Sequence, residues 1–554
     1  MPVPDPSLTD LVAAFAHPGA DLALLLCDRH PADRPALRVV DAELRTTTVT
    51  YGELADRSRR LAGAMRRLGV GEGDRVATLM AKSAEHVVTL LATWRLGAVH
   101  VPLFTAFQSE AIAARTAHAA LVVADAGQLP KLLPPVRGGA PAPPVVVNGA
   151  PGGADGAGGA GGVGGVGGVE PAPPGTHGFR DLEAGPPLTP ATRAVGGDAP
   201  FVDLYTSGTT GQPKAVTVPV RATAAFAAYQ RHGLDHRPDD VFWNLADPAW
   251  GYGLYQAVIG PLALGLTTTL LRARFDPELT VRALTGLGVT NFAAAPTAYR
   301  ALRNALGDSP VRTSLRACSS AGEPLPPDLA PWARRVLGAD LYDHYGQSEL
   351  GMVAGQAWDV ASAAGAAPSE VRAFPGWTLA VLDAETGRET VGGTGLLAVD
   401  VACSPLMWFT GYAGGGVPAP KAGGSFLQEG RWFVTGDLAV LDDAGRLHVR
   451  GRQDDLIVMA GYRIGPTEIE SILMEHPAVS EAGVTAAPDS LRGEVVEAYV
   501  VPAPSAATGP ALVAELQALV KTRLSAHAYP RRVHFVTALP KTDSGKVRRA
   551  ALRG

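Results

Sequence analysis

The sequence predicts an α/β protein: a large N-terminal α/β domain with parallel sheets, and a small C-terminal α+β domain joined to it by a hinge. At 554 residues the chain exceeds the size at which one hydrophobic core stops growing. Strand and helix patterns alternate between residues 50 and 103, which indicates parallel strands with crossover helices. A break in the pattern at GRQDD, residues 451–455, divides the chain into domains of residues 1–452 and 453–554.

The first helix is predicted from its capping residues. Thr50 and Glu53 have the T-x-x-E spacing of a capping box, and apolar residues follow at helical spacing as far as Gly69. The run RVATLM at 75–80 then predicts a strand. Residues 83–96 predict a helix, and AVHVPL at 98–103 predicts the next strand.

Residues 138–178 interrupt this alternation with a Gly/Pro-rich stretch, which predicts a mobile surface loop. The stretch includes a literal GxGxxG at Gly159–Gly164. Neither a strand before it nor a helix after it is predicted, so a dinucleotide site is rejected.

The C-terminal part has its own elements. The segment from Trp432 to Arg452 reads as strand, turn and strand, with the turn near Asp443. Helices are predicted at 466–475 and 511–525, and strands at AYVVP (498–502) and RVHFV (532–536).

Composition excludes several classes of protein. A net charge of −5 and a pI near 6.2 argue against a nucleic-acid binder. Three widely separated cysteines fit a reducing compartment, and the N-terminus lacks the pattern of a signal peptide, so we expect a cytoplasmic protein. The uncharged stretch 249–271 is long enough to span a membrane, but its glycines and proline favour a buried interior segment, so no membrane span is expected.

A loop rich in hydroxyl groups and glycine follows a strand-like segment. It contains Thr206, Ser207, Gly208, Thr209, Thr210 and Gly211, and Lys214 follows it. Backbone amides in such a turn form an anion-binding concavity, so the loop is predicted to hold phosphates. The chain has only seven lysines, and a lysine inside a motif is therefore informative.

Three further clusters carry chemistry. The first is DHYGQSE, which comprises Asp343, His344, Tyr345, Gly346, Gln347, Ser348 and Glu349; its acid and hydroxyl suit Mg²⁺ bound to phosphate. A serine hydrolase elbow is excluded because the G-x-S-x-G pattern lacks its last glycine. Asp437 in Thr435-Gly436-Asp437 could bind two ribose hydroxyls, and Lys546 in PKTDSGKVRR follows a turn that directs its ammonium.

These four clusters, in this order and together with GRQDDLIVMAGYRIGPTEIE, resemble the adenylate-forming superfamily. AAAPTAYRAL, SAGEPL and SPLMWFTGY look most like its acetyl- and medium-chain acyl-CoA synthetases, and the resemblance covers the chain after about residue 45. It implies that a carboxylic acid reacts with Mg·ATP to give acyl-AMP and diphosphate, and that coenzyme A then displaces AMP. ATP, Mg²⁺ and coenzyme A are thus the implied cofactors.

The resemblance also implies roles by position. Lys546, Glu349 and Ser348 would serve the α-phosphate, Glu349 would bind Mg²⁺, and Asp454 would be the hinge. The implied ATP and AMP contacts are the loop at 206–211 with Lys214, then Gly322, Glu323, Pro324, residues 343–347, Asp437 and Arg452. Gly461 and Arg463 would contact coenzyme A.

The implied acyl pocket contains Trp250, Gly251, Tyr252, Ala321 and Gly346. Acetate-specific members carry tryptophan where this chain has Gly346 and valine where it has Ala321, so the interpretation is an acyl group larger than acetate: medium-chain, branched or aryl. Tyr252 could refill part of the space.

Other readings stay open. A stand-alone acyl-AMP ligase that loads a carrier protein would share these motifs, as would a non-catalytic nucleotide-binding protein on the same fold. A peptide-synthetase adenylation domain is disfavoured, because Asp247 aligns with a residue of the CoA synthetases. Either a monomer or a homodimer is compatible with the sequence.

Overall fold

The computed structural model describes most of the chain. The described residues are 6–132, 143–149, 176–206, 214–356, 370–412, 425–455, 457–459, 462–489, 493–504, 506–524, 528–542 and 547–553.

The first sheet is parallel through its middle and antiparallel at both edges. In spatial order its strands are Arg372–Ala373, Gly351–Gly355, Leu341–Gln347, Ala317–Ala321, Asn291–Ala294, Phe242–Asn244, Thr268–Leu271, Pro35–Val40 and Thr46–Thr50.

The second sheet is parallel except for its last pair. In spatial order its strands are Thr176–Gly178, Val145–Asn148, Ala119–Asp125, Arg75–Leu79, Val99–Pro102, Pro200–Thr206 and Lys214–Pro219.

A third, antiparallel sheet completes the large domain. Its strands are Leu379–Leu382, Thr394–Asp400, Trp432–Leu441, Ser425–Leu427 and Leu447–Arg452. The small domain has a mixed sheet of Tyr462–Ile464, Ile457–Met459, Gly493–Pro502, Val479–Asp489 and Arg532–Phe535.

Helices connect and cover the sheets. The α-helices are Leu8–Ala16, Tyr51–Arg67, Ala84–Arg95, Ser109–Thr116, Leu129–Leu132, Phe179–Glu183, Thr223–His232, Gly251–Gly253, Gly260–Ala263, Pro277–Gly286, Pro296–Leu306, Leu329–Val336, Pro466–Met474 and Pro510–Arg523. Among the described residues, two π-helical segments are Leu24–Asp28 and Leu254–Ile259, and short 3-10 turns are Ala126–Gln128, Val220–Ala222, Gln453–Asp455 and Arg549–Ala551.

The local signals in the sequence explain several of these elements. The Thr50 side chain accepts a bond from the Glu53 amide, and the Glu53 carboxylate accepts one from the Thr50 amide, as the capping box predicts. The hairpin of the third sheet turns at Gly445, whose φ is +74°, a backbone conformation that glycine adopts at low energetic cost. Both predictions are confirmed.

The stretch 249–271 is interior, as predicted. It forms short buried helical segments and the buried strand Thr268–Leu271. In the part of the chain that the structure describes, no helix has the length and apolar character needed to cross a membrane.

The bounds of the predicted surface loop need correction. Residues 145–148 and 176–178, inside the predicted range 138–178, form parallel strands at the edge of the second sheet. Val146 and Val147 are buried there. A run of three consecutive valines is typical of a covered strand, although the glycines around it indicated a loop. Residues 133–142 and 150–175 lie outside the described chain.

The two domains have separate cores. A large apolar cluster joins the first and second sheets, with Trp94, Phe226 and Trp408 among its fully buried side chains. A second cluster around Ile469 and Val500 belongs to the small domain. Each domain thus has an apolar core of its own.

Candidate active site

One strand of the first sheet, Leu341–Gln347, supplies side chains to two sides of the candidate site. Successive residues of a strand point to opposite faces. Tyr345 and Gln347 contact Asp437 on one side, whereas His344 contacts Tyr229 on the other. The strand therefore separates two neighbouring environments.

On the first side, Asp437 is held by several donors. Gln347 Nε2 donates to Asp437 Oδ2 at 2.6 Å, and the Tyr345 hydroxyl donates to the same oxygen. Arg452 lies 3.6 Å from the other carboxylate oxygen. Gly436 has a φ of +77°, which lets the chain turn so that Asp437 faces these groups. Asp437 is only 7% exposed and is fixed as an acceptor.

Glu349 lies beyond the end of this strand and contacts Tyr412. The Tyr412 hydroxyl donates to Glu349 Oε1 at 2.7 Å. Burial raises the pKa of the Glu349 carboxyl, and the Tyr412 hydrogen bond acts in the opposite direction. The backbone oxygen of Ser348 accepts a bond from Tyr255 at 3.2 Å.

Lys214 approaches the same group of residues from the second sheet. Its Nζ lies 5.4 Å from the centre of the Tyr412 ring. Lys214 also pairs with Thr206 across two antiparallel strands, so both ends of the predicted phosphate loop are adjacent. Ser207, Gly208, Thr209, Thr210 and Gly211 lie outside the described residues.

Gly322 and Glu323 follow the adjacent strand. Gly322 has a φ of +95°, and a Cβ atom there would lie 2.7 Å from the Trp250 ring, so the site excludes a side chain at this position. Glu323 accepts bonds from Thr297 Oγ1 at 2.7 Å and from Arg300 at 3.1 Å. Its carboxylate is therefore oriented by the helix Pro296–Leu306.

Asp343 is the other carboxylate near this edge. Burial raises its pKa to about 7, and the backbone hydrogen bond of His344 acts against that rise. The Asp343 amide donates to Gln356 Oε1 at 2.7 Å. The carboxyl can therefore change protonation state near neutral pH.

On the opposite side, the residues predicted for the acyl pocket form an aromatic group. The rings of Trp250 and Tyr252 are 5.6 Å apart, and the Tyr252 hydroxyl is 3.4 Å from that of Tyr229. The Tyr229 hydroxyl is in turn 2.6 Å from His344 Nδ1. Burial lowers the pKa of His344 to about 3, so its imidazole is neutral. His344, predicted as a nucleotide contact, thus has its side chain among the acyl-pocket residues.

The glycines on this side are closely packed. A Cβ atom on Gly346 would lie 2.1 Å from the Gly351 oxygen and 2.7 Å from Met352 Cα. A Cβ on Gly251 would lie 2.9 Å from the Leu204 side chain. Ala321 is fully buried. The space beside Gly346 is therefore closed by the adjoining hairpin.

The predicted hinge lies where the two domains join. Asp454 belongs to the short turn Gln453–Asp455, between the last strand of the large domain and the small domain. Arg549 bonds to Asp455 at 2.6 Å and to Glu470, which ties the C-terminal segment to this turn. The side chain of Arg463, and all of Gly461 and Lys546, lie outside what the structure describes.

The donor set around Glu349 fits Mg²⁺. A carboxylate beside a hydroxyl-bearing residue is typical of a magnesium site in which substrate phosphates and waters supply the other ligands. Among the described residues, no group of three or more His, Cys, Asp or Glu side chains is arranged to hold a metal ion.

Two site residues escaped the sequence-based prediction. Tyr229 lies on the helix Thr223–His232, where its local sequence gives no functional signal. Tyr412 ends the segment SPLMWFTGY, which contributed to the family resemblance but had no assigned role.

Comparison with known proteins identifies the family of the chain. Residues 26–406 match the family described as AMP-binding enzyme, and residues 468–546 match its C-terminal domain. The chain belongs to the AMP-binding enzyme family.

Its relatives include acetyl-coenzyme A synthetase of Bacillus subtilis (strain 168), 32% identical over 95% of this chain and 89% of that protein. Among solved structures, an acyl-CoA synthetase of Brucella canis is 39% identical with a TM-score of 0.72, and the match covers 99% of this chain and 96% of that one. A benzoate CoA ligase from Burkholderia xenovorans LB400 is 26% identical with a TM-score of 0.79, over 96% and 100% of the two chains.

Proposed function

We propose that the protein is an AMP-forming acyl-CoA synthetase, which converts ATP, a carboxylic acid and coenzyme A into acyl-CoA, AMP and diphosphate through an acyl-adenylate. The observation that supports it most is the division of roles along Leu341–Gln347. Polar residues that suit a nucleotide lie on one side of this strand, and aromatic residues that suit an acyl group lie on the other.

The nucleotide side would bind Mg·ATP. Asp437 and Arg452 would bind the ribose hydroxyls, and Asp343, Gly322 and Glu323 would surround the adenine. Glu349 would hold Mg²⁺, which when bound neutralises charge on the phosphate oxygens. The loop from Thr206 to Lys214 would hold the phosphates that leave as diphosphate.

The acid needs no general base. A carboxylate is already ionised and nucleophilic at neutral pH, so the protein has to orient it and to offset the charge that develops at phosphorus. Lys214 and Lys546 would supply positive charge for that. Lys546 would arrive on the small domain and leave when this domain rotates about Asp454, which would open the site to coenzyme A at Gly461 and Arg463.

The proposed acid is larger than acetate: a medium-chain, branched or aryl acid. Support comes from the aromatic lining of Trp250, Tyr252 and Tyr229, and from the likeness to a benzoate CoA ligase. The close packing at Gly346 supports a size limit that is set by these aromatic side chains rather than by the glycine.

A panel of carboxylic acids tests the proposal directly. Purified protein with ATP, Mg²⁺ and coenzyme A should release AMP with butyrate, octanoate or benzoate at a higher kcat/KM than with acetate. A preference for acetate would overturn the proposal that the acyl group is larger than acetate. The absence of acid-dependent exchange of diphosphate into ATP with every acid would favour a non-catalytic nucleotide-binding protein.

Two further measurements separate the roles. Lys546→Ala should abolish adenylation yet leave thioester formation from supplied acyl-AMP largely intact, and equal loss of both steps would contradict the role of Lys546. A pantetheinylated carrier protein that releases AMP from acyl-AMP faster than coenzyme A does would identify a carrier-loading ligase instead.

A further inference from the structure

Tyr412 contacts two charged residues of the site that come from different sheets. Its hydroxyl donates to Glu349 Oε1 at 2.7 Å, and its ring lies 5.4 Å from Lys214 Nζ. Its backbone forms an isolated antiparallel bridge with Val216, two residues after Lys214. One side chain and its backbone thus connect the end of the phosphate loop to the carboxylate that would bind Mg²⁺.

The position of Tyr412 is fixed from behind. Its ring packs edge-on against Phe409 at 5.2 Å, and Phe409 packs against Phe433, which is fully buried. A ring held by a core and by a backbone bridge has little rotational freedom, so its hydroxyl is aimed before any ligand arrives. Preorganised donors of this kind lose little conformational entropy when a ligand binds.

The contacts also suit the two charges. A carboxylate taken partly out of water needs a hydrogen-bond donor, and Tyr412 supplies one to a single oxygen of Glu349, which leaves the carboxylate a second oxygen. The face of an aromatic ring attracts an ammonium group, which favours the Lys214 side chain on the same side.

We propose that Tyr412 is a positioning residue for adenylation: it holds the Glu349 carboxylate and the Lys214 ammonium at a fixed separation, so that both meet the phosphates of one ATP molecule. The inference rests on the proposed function, and it adds to that function a residue with no assigned role. Tyr412 acts through its two neighbours and takes no part in bond making.

Two variants separate the hydroxyl from the ring. Tyr412→Phe keeps the ring over Lys214 and removes the bond to Glu349, so the KM for Mg·ATP should rise about tenfold, the effect of losing a hydrogen bond to a charged group. Tyr412→Leu removes both contacts and should raise this KM further. Thioester formation from supplied acyl-AMP uses neither Mg²⁺ nor the two outer phosphates, so it should stay within about twofold for both variants.

Calorimetric titration with ATP provides a readout that is independent of turnover. For the native protein, Mg²⁺ should strengthen ATP binding. For Tyr412→Phe, that gain should shrink while binding of metal-free ATP stays unchanged. For Tyr412→Leu, binding of metal-free ATP should weaken as well, because Lys214 loses its ring contact.

Tyr499→Phe is the matched control. The Tyr499 hydroxyl also lies near a glutamate, 3.4 Å from Glu497, but on the small domain. The Tyr499→Phe variant should leave unchanged the KM for Mg·ATP and the gain in ATP affinity that Mg²⁺ produces. The proposal is wrong if Tyr412→Phe leaves both quantities unchanged, or if it slows both half-reactions equally. If no acid supports AMP release, the proposed function fails, whereas the calorimetric comparison still decides the role of Tyr412.

Discussion

The Tyr229 hydroxyl lies 2.6 Å from Nδ1 of His344, and both side chains are at most 3% exposed. The bond joins the helix Thr223–His232 to the strand Leu341–Gln347, from which the site residues project. No described residue bonds to the other imidazole nitrogen of His344. The Tyr229 bond is therefore the side-chain link that fixes the orientation of this ring.

Loss of that hydroxyl should destabilise the protein. Tyr229→Phe leaves a buried imidazole nitrogen unpaired, which costs about 1–3 kcal/mol in the free energy of unfolding. Tyr252→Phe removes a hydroxyl that is 3.4 Å from Tyr229, a weak bond, so it should cost under about 1 kcal/mol. Urea denaturation measures both free energies of unfolding. Equal losses would show that the bond between Tyr229 and His344 contributes no more to stability than the bond between Tyr252 and Tyr229.

Binding of ATP should depend on pH through Asp343. Burial raises the pKa of this carboxyl to about 7. The ionised form is the better acceptor for the amino group of adenine, so ATP binding should strengthen as the pH rises through this value. The KM for ATP should fall about tenfold between pH 6 and pH 8, following the ionised fraction. His344, with a pKa lowered to about 3, does not titrate in this range.

Asp343→Asn tests this assignment. The amide keeps an acceptor oxygen and cannot ionise, so the KM for ATP of this variant should vary little over the same pH range. A variant whose KM still falls tenfold would place the titrating group elsewhere.

A side chain introduced at position 346 should not shift the substrate preference of the enzyme toward acetate. The Cβ of Gly346→Ala would meet the Gly351 backbone, which cannot turn away, and such overpacking costs about 1–3 kcal/mol of stability. We expect kcat/KM to fall for all acids together. Gly127→Ala, where a Cβ would meet no atom within 4 Å, is the control and should be nearly neutral. A selective gain for acetate with Gly346→Trp would contradict this expectation.

Arg549 should be needed for the small domain to hold its C-terminal segment. Its guanidinium bonds to Asp455 and Glu470 and is largely buried, so Arg549→Met leaves two carboxylates without their partner and should cost about 3–5 kcal/mol. Arg523→Met breaks an exposed pair with Glu475 and should have no measurable effect. Scanning calorimetry of the full chain compares the two, and similar thermograms would refute a special role for Arg549.

The sequence predicted the elements whose signals are local. The capping residues Thr50 and Glu53 define the start of a helix wherever the rest of the chain goes, and the turn near Gly445 is equally local. The motifs also placed Tyr345, Gln347 and Asp437 in one nucleotide site, and the structure brings these three side chains together.

Long-range contacts were beyond such reasoning. Tyr412 meets Glu349 across 63 residues of sequence, and Tyr229 meets His344 across 115. A small residue at 346 indicated open space, but whether space is open depends on the hairpin folded against it. Packing of this kind is a property of the whole fold, not of a motif.

The alternation along Leu341–Gln347 has a consequence for how such an enzyme changes over generations. Tyr345 and Gln347 lie on the face proposed to bind the nucleotide, which does not vary. His344 lies on the face proposed to bind the acid, which does vary. If the proposed function holds, a substitution at His344 should alter the choice of acid without disturbing the ATP contacts proposed for its neighbours. An insertion or deletion of one residue in the strand would exchange its two faces. The contacts proposed for the nucleotide and those proposed for the acid would then be lost together.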